Sequence, residues 1–108
     1  MDNEIEVKKS AIDNYSVFSN GQKKILKILV ELDAPVPVNI IQNIAQVSRQ
    51  SFNFSIQGLL KLGFITRKKQ RVYIYQINNQ MLEEIVSIYK KQKKLTKNIW
   101  QYNFYTLY

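Results

Sequence analysis

Apolar positions at Ile25, Leu26, Ile28, Leu29 and Leu32 follow helical spacing behind Ser19 and Asn20, either of which can cap the first exposed amides. This predicts a helix that ends near Asp33, because Pro35 and Pro37 exclude helical continuation and push their neighbours toward extended geometry. Ala34–Val38 therefore reads as a short extended link. Asn39 is placed to cap a second helix of about two turns, with Ile40, Ile41, Ile44 and Ala45 on one stripe. A third helix is predicted from about Arg49 to Leu62, capped by Ser48 and ended by Gly63. At about 100° per residue its inward face carries Phe52, Ser55, Ile56, Leu59 and Gly63, and its outward face Gln50, Asn53, Phe54, Gln57 and Lys61.

Two β-rich runs follow, Phe64–Arg67 and Val72–Ile77, separated only by Lys68-Lys69-Gln70-Arg71, which predicts a hairpin with a basic tip. Tyr73 and Tyr75 alternate on its second strand, and Tyr75 is expected in the core. Asn78 or Asn79 can cap a fourth helix with Met81, Leu82, Ile85, Val86 and Tyr89 as its stripe and Lys90–Lys94 as its cationic end. Beyond Leu95 the chain is crowded with aromatics: Trp100, Tyr102, Phe104, Tyr105 and Tyr108. Residues 1–15 mix charges with isolated apolar positions, so a short helix and a loose arm both fit. There is no internal repeat. The chain divides into 1–18 (arm or short helix), 19–78 (the main domain) and 79–108 (helix and aromatic tail).

Composition narrows the chemistry. A chain of 108 residues is expected to form one compact domain. Its net charge of +8 points to a polyanionic partner. The excess is local: residues 34–78 hold six Lys/Arg and no acid, and no acid occurs between Asp33 and Glu83. With no Cys and no His, zinc fingers, thiol chemistry, disulfide scaffolds and His-based acid/base or metal sites are excluded. Glu83 and Glu84 are adjacent and diverge on a helix, so no carboxylate pair stands ready for general acid/base work. We therefore expect neither an enzyme nor a metal or other cofactor. No apolar run approaches the roughly 18 residues of a membrane span, and a cytoplasmic protein associated with nucleoid or plasmid is expected.

The order helix, short strand, short helix, turn, helix, hairpin is that of a winged helix-turn-helix. From Ser48 to Ile65 the run SRQSFNFSIQGLLKLGFI resembles the recognition-helix segment of MarR-like, ArsR-like and related winged regulators. In them a capping Ser or Asp, inward apolar residues and a Leu-x-x-x-Gly-[Leu/Phe]-Ile ending recur, here as Ser48, Phe52, Ile56, Leu59, Gly63, Phe64 and Ile65. The resemblance covers about residues 19–78. It implies a mainly α fold with a small β-hairpin, extended here by a C-terminal helix and aromatic tail. Two departures stand out: Gln46 occupies a turn position that often carries Gly, and the hairpin tip is short and lacks Gly.

The resemblance also implies a use. A helix about 10–12 Å across fits the major groove, where base edges show a distinguishable donor and acceptor pattern. Arg49 can then bond guanine bidentately, Gln50, Asn53 and Gln57 can pair with adenine or bridge through water, and Phe54 can pack on a thymine methyl. Arg67, Lys68, Lys69 and Arg71 of the hairpin would meet phosphates or enter the minor groove, with Ser48, Ser51 and Lys61 as further backbone contacts. The bland alternatives are ordinary: solvated amides, a Phe54 covered by another subunit or by the N-terminal arm, and a tip that only discourages edge pairing.

A module of about 60 residues has a small footprint, and specific sites are usually reached by pairing two of them. Leu82, Ile85 and Tyr89 with Trp100, Tyr102, Phe104 and Tyr105 are the candidate surfaces for a homodimer or a protein partner; a tail folded back on its own domain is the alternative. The leading expectation is a homodimeric, sequence-specific double-stranded DNA-binding protein acting as a transcriptional regulator. The alternatives are a centromere-binding adaptor of a plasmid or phage partition system, TubR-like, and a winged-helix protein-interaction module. Single-strand binding is disfavoured, because the aromatics do not interleave with the basic hairpin.

Overall fold

The computed structural model describes the backbone of residues 3–106 and the side chains of residues 3–94. Of the two readings open for the N-terminus the helix is realised. In α1 (Glu4–Asn14), the Asn3 side chain accepts the Ile5 N–H at 3.0 Å, and Glu4 and Glu6 sit in the first turn, where negative charge opposes the helix dipole favourably. Ala11 and Ile12 are fully enclosed, so this helix belongs to the core and is no loose arm. α2 (Asn20–Leu32) starts from a capping box: Ser19 Oγ accepts the Gln22 N–H and Gln22 Oε1 accepts the Ser19 N–H. It stops at Asp33, which takes a left-handed conformation ahead of Pro35.

The extended link is a strand, β1 (Val36–Pro37), antiparallel to β3. α3 (Val38–Ala45) begins immediately after it, with Pro37 as an N-cap that offers no side-chain hydrogen bond. Asn39 therefore lies inside the first turn and caps nothing. The expected stripe is also rotated: Ile41 and Ala45 are buried with Val38 beside them, while Ile40 and Ile44 are 43% and 49% exposed. A two-turn helix lying on α2 can cover only one narrow face, and positions 38, 41 and 45 occupy it.

Gln46 adopts a left-handed conformation (φ 52°) in the turn, and α4 (Arg49–Leu62) follows, with Ser48 Oγ accepting the Ser51 N–H at 3.1 Å. Gly63 ends it at φ 82°, a region where an L side chain is strained. β2 (Ile65–Lys69) and β3 (Tyr73–Ile77) form an antiparallel hairpin in the register Ile65↔Ile77 to Lys69↔Tyr73, and the sheet order is β1-β3-β2. Asn78 then ties three elements together. Its Oδ1 accepts the Gln80 N–H at 3.1 Å at the head of α5 (Asn79–Thr106), its Nδ2 donates to the Gly63 carbonyl at 2.9 Å, and its backbone N–H donates to the Phe64 carbonyl at 2.7 Å.

The fourth helix does not end at the lysines. Residues 79–106 contain no Gly or Pro, and α5 runs on through them, so Lys90–Lys94 lie in mid-helix. Trp100, Tyr102, Phe104 and Tyr105 are on that continuation, and their side chains lie outside the described residues. A second correction concerns the stripe of α5. Leu82 and Ile85 are 2% and 3% exposed within a single chain, where α5 packs against α1, so they are core residues and offer no free pairing surface; Tyr89 is half-buried at the edge of the same cluster.

The core joins these two side chains to Ile12, Ile25, Leu26, Leu29, Ile41, Phe52, Ile56, Leu59 and Ile65, with Tyr75 in it as expected. Tyr15, Phe18 and Phe64 close one end as a three-ring cluster with centroids 4.8 to 6.0 Å apart. The architecture is a winged helix: mainly α, with a small three-stranded antiparallel sheet whose β2–β3 hairpin forms the wing.

Candidate nucleic-acid interface

α4 is held by its inward residues. Phe52, Ser55, Ile56 and Leu59 are buried, which turns Arg49, Gln50, Ser51, Asn53, Phe54, Gln57 and Lys61 to the surface as their spacing predicts. Phe54 is 81% exposed, so no described part of this chain covers it. A helix anchored over about two turns presents its outer side chains in a fixed order, which is what recognition of a sequence of base edges needs.

The wing differs from expectation in one respect. Lys68 and Lys69 are strand residues opposite Ile74 and Tyr73, and the tip is the three-residue turn Gln70-Arg71-Val72, closed by the Gln70 N–H donating to the Val72 carbonyl at 3.0 Å. The Tyr73 ring gives the two cations on its face of the hairpin, Arg67 and Lys69, an aromatic surface. Arg67 Cζ lies 4.3 Å and Lys69 Nζ 5.5 Å from its centroid, worth about 0.5–1 kcal/mol each at an exposed site. Strand alternation sends Lys68 to the opposite face. Of the expected tip cations only Arg71 is at the tip.

Charge is divided between the two sides of the molecule. Among the described residues the ion pairs are Lys8–Glu4 (3.5 Å), Lys27–Asp13 (2.8 Å) and Lys9–Glu31, all within α1 and α2. The hydrogen bond to Glu31 raises the Lys9 pKa above the ordinary lysine value, against a smaller opposing effect of desolvation. Arg49, Lys61, Arg67, Lys68, Lys69 and Arg71 form no such pair among the described residues. Three carboxylates thus compensate lysines on α1 and α2, whereas α4 and the wing carry cations and no acid.

A cleft of about 680 Å³ lies between the second half of α4, the start of β2 and the first turn of α2, lined by Gln22, Phe54, Gln57, Gly58, Leu60, Lys61 and Arg67. It unites residues of the helix face with Arg67 of the wing. Gln22 is its polar member to which the sequence alone assigned no role. The Ser-x-x-Gln spacing from Ser19 to Gln22 could have marked it as a capping-box residue, but its place beside α4 depends on how the two helices cross. Among the described residues no three His, Cys, Asp or Glu side chains are grouped to hold a metal, and no helix is long and apolar enough to cross a membrane.

No family model matches the chain, and no curated protein sequence matches it significantly. Solved structures do resemble it. The ST1889 protein from the thermoacidophilic archaeon Sulfolobus tokodaii aligns with a TM-score of 0.63 at 21% identity, over 88% of this chain and 99% of the other. RV1404 from Mycobacterium tuberculosis aligns at 0.58 and 12% identity, over 90% and 69%. A MarR family transcription regulator aligns at 0.54 and 13% identity, over 95% and 76%. Identities this low establish the likeness at the level of fold, which is that of the winged-helix proteins.

Proposed function

We propose that this protein binds double-stranded DNA sequence-specifically and acts as a transcriptional regulator. The observation that carries the reading is the outer face of α4: Arg49, Gln50, Asn53, Phe54 and Gln57 are exposed together on an anchored helix, beside a cationic hairpin and away from every carboxylate pair. In the major groove these five side chains meet base edges. Ser48, Ser51, Lys61, Arg67, Lys68, Lys69 and Arg71 meet the backbone on either side. The presence of a transcription regulator among the structural neighbours supports the same assignment. The protein acts as a homodimer in this proposal, because one such module has a small footprint; with Leu82 and Ile85 consumed by the core, pairing falls to the helix beyond Lys94.

The test is selection of bound duplexes from a random pool, followed by affinity measurements on the selected and on a scrambled sequence across a salt series. Arg49→Ala is expected to cost about 1–3 kcal/mol on the selected site and relax preference at one position, whereas Lys69→Ala weakens both duplexes alike and lowers the salt slope by about one. Equal loss on both duplexes for both changes would overturn the division between reading and anchoring.

A further inference from the structure

The cleft beside α4 contains side chains that base reading does not use. Lys61 and Arg67 are the charged groups of its lining, both cationic, and no carboxylate is among the lining residues. Gln22 enters from α2 in a fixed orientation. Its Oε1 is committed to the Ser19 N–H at 2.9 Å, so Nε2 is turned away from the cap, where it lies against Gly58 of α4 and makes no hydrogen bond among the described residues. A Cβ at position 58 would displace that nitrogen, so the glycine leaves the amide room against α4. Arg67 is oriented as well. Its Cζ lies 4.3 Å over the Tyr73 ring, a cation–π contact that holds the side chain while using none of its N–H groups on an acceptor.

An oriented amide N–H₂, a guanidinium held over an aromatic ring and an ammonium around one opening, with no carboxylate in its lining, form the complement of a phosphate group. We propose that this cleft seats one backbone phosphate of the duplex, with Gln22 Nε2, Arg67 and Lys61 as its donors. The proposal rests on the DNA-binding reading above and adds a component from α2. Because Gln22 also closes the capping box, the phosphate is tied to the N-terminus of α2 and fixes the register of α4 along the groove.

Gln22→Glu separates the two roles of this side chain. Glutamate completes a capping box as well as glutamine does, so the melting temperature is expected to stay within about 4 °C of wild type. The donor is nonetheless replaced by a carboxylate that repels phosphate and attracts Lys61 and Arg67. Duplex affinity should fall at least tenfold by the same factor for selected and scrambled sequences, with a salt slope smaller by about one. In a duplex scanned with single neutral methylphosphonate linkages, one position should weaken the wild type and leave Q22E unaffected. Wild-type affinity in Q22E, with Arg49→Ala still changing preference, would remove the phosphate seat and keep the DNA reading; a wild type that binds no duplex would remove both. If no linkage distinguishes the two proteins while inorganic phosphate perturbs the Gln22 and Gly58 amide resonances of DNA-free protein, the cleft takes a free anion and the proposal is overturned.

Discussion

Gln46 and Gly63 bracket the helix that the proposed function depends on, and both sit in left-handed backbone conformations. Glycine reaches that region without strain, whereas a residue with a Cβ is penalised by roughly 1–2 kcal/mol. Gln46→Gly should therefore stabilise the fold by about 0.5–1 kcal/mol in urea unfolding, since the strain relieved outweighs the extra freedom of the unfolded chain. Gly63→Ala should do the reverse, costing about 1 kcal/mol, although nothing lies within 4 Å of an added Cβ. A loss at position 63 in open space can only come from the backbone. The absence of Gly from the helix-turn-helix turn was plain in the sequence; that the turn keeps its left-handed geometry with Gln46 is a result of the helices on either side.

At the scale of elements, legibility tracks how local the cause is. The Ser48 cap, the inward Phe52, Ile56 and Leu59, the Gly63 terminator and the Asn78 cap could all be read from the sequence, because each depends on neighbours within about one helical turn. The facing of α3 and the inclusion of Lys68 and Lys69 in β2 could not, since they depend on packing against α2 and on pairing with β3. The continuation of α5 past Lys94 was open to reading, because no Gly or Pro interrupts residues 79–106. The burial of Leu82 beneath α1 gives a direct test. Leu82→Ala should cost about 2–5 kcal/mol through lost packing and the cavity left behind, and the loss should be independent of protein concentration between two unfolding series. A side chain in a subunit interface would instead show a loss that grows on dilution.

At the scale of the whole molecule, the ion pairs among the described residues lie on α1 and α2 while α4 and the wing carry cations and no acid, so on the proposed function long-range attraction favours that face for a duplex. On the proposal that pairing falls to the helix beyond Lys94, deletion of residues 96–108 should lower the mass in sedimentation and weaken binding to a symmetric site. Base preference in single-module binding should be unchanged. A truncated protein with the same number of chains per particle as the full chain, and with unchanged partner binding, would remove the tail from the assembly.

The sequence by itself determined where α4 begins and ends, which side chains of residues 49–61 face outward, and that the carboxylate-free stretch 34–78 carries six cations. Those properties follow from short-range hydrogen bonding, helical periodicity and charge count, which act between residues close along the chain. Only the tertiary structure decided that α1 closes over Leu82 and Ile85, that Ile40 and Ile44 stay outside, and that Gln22 stands beside Arg67 and Lys61 at one cleft. These outcomes depend on the crossing of helices far apart in sequence, where the approach of two surfaces sets what is buried and what is left to bind.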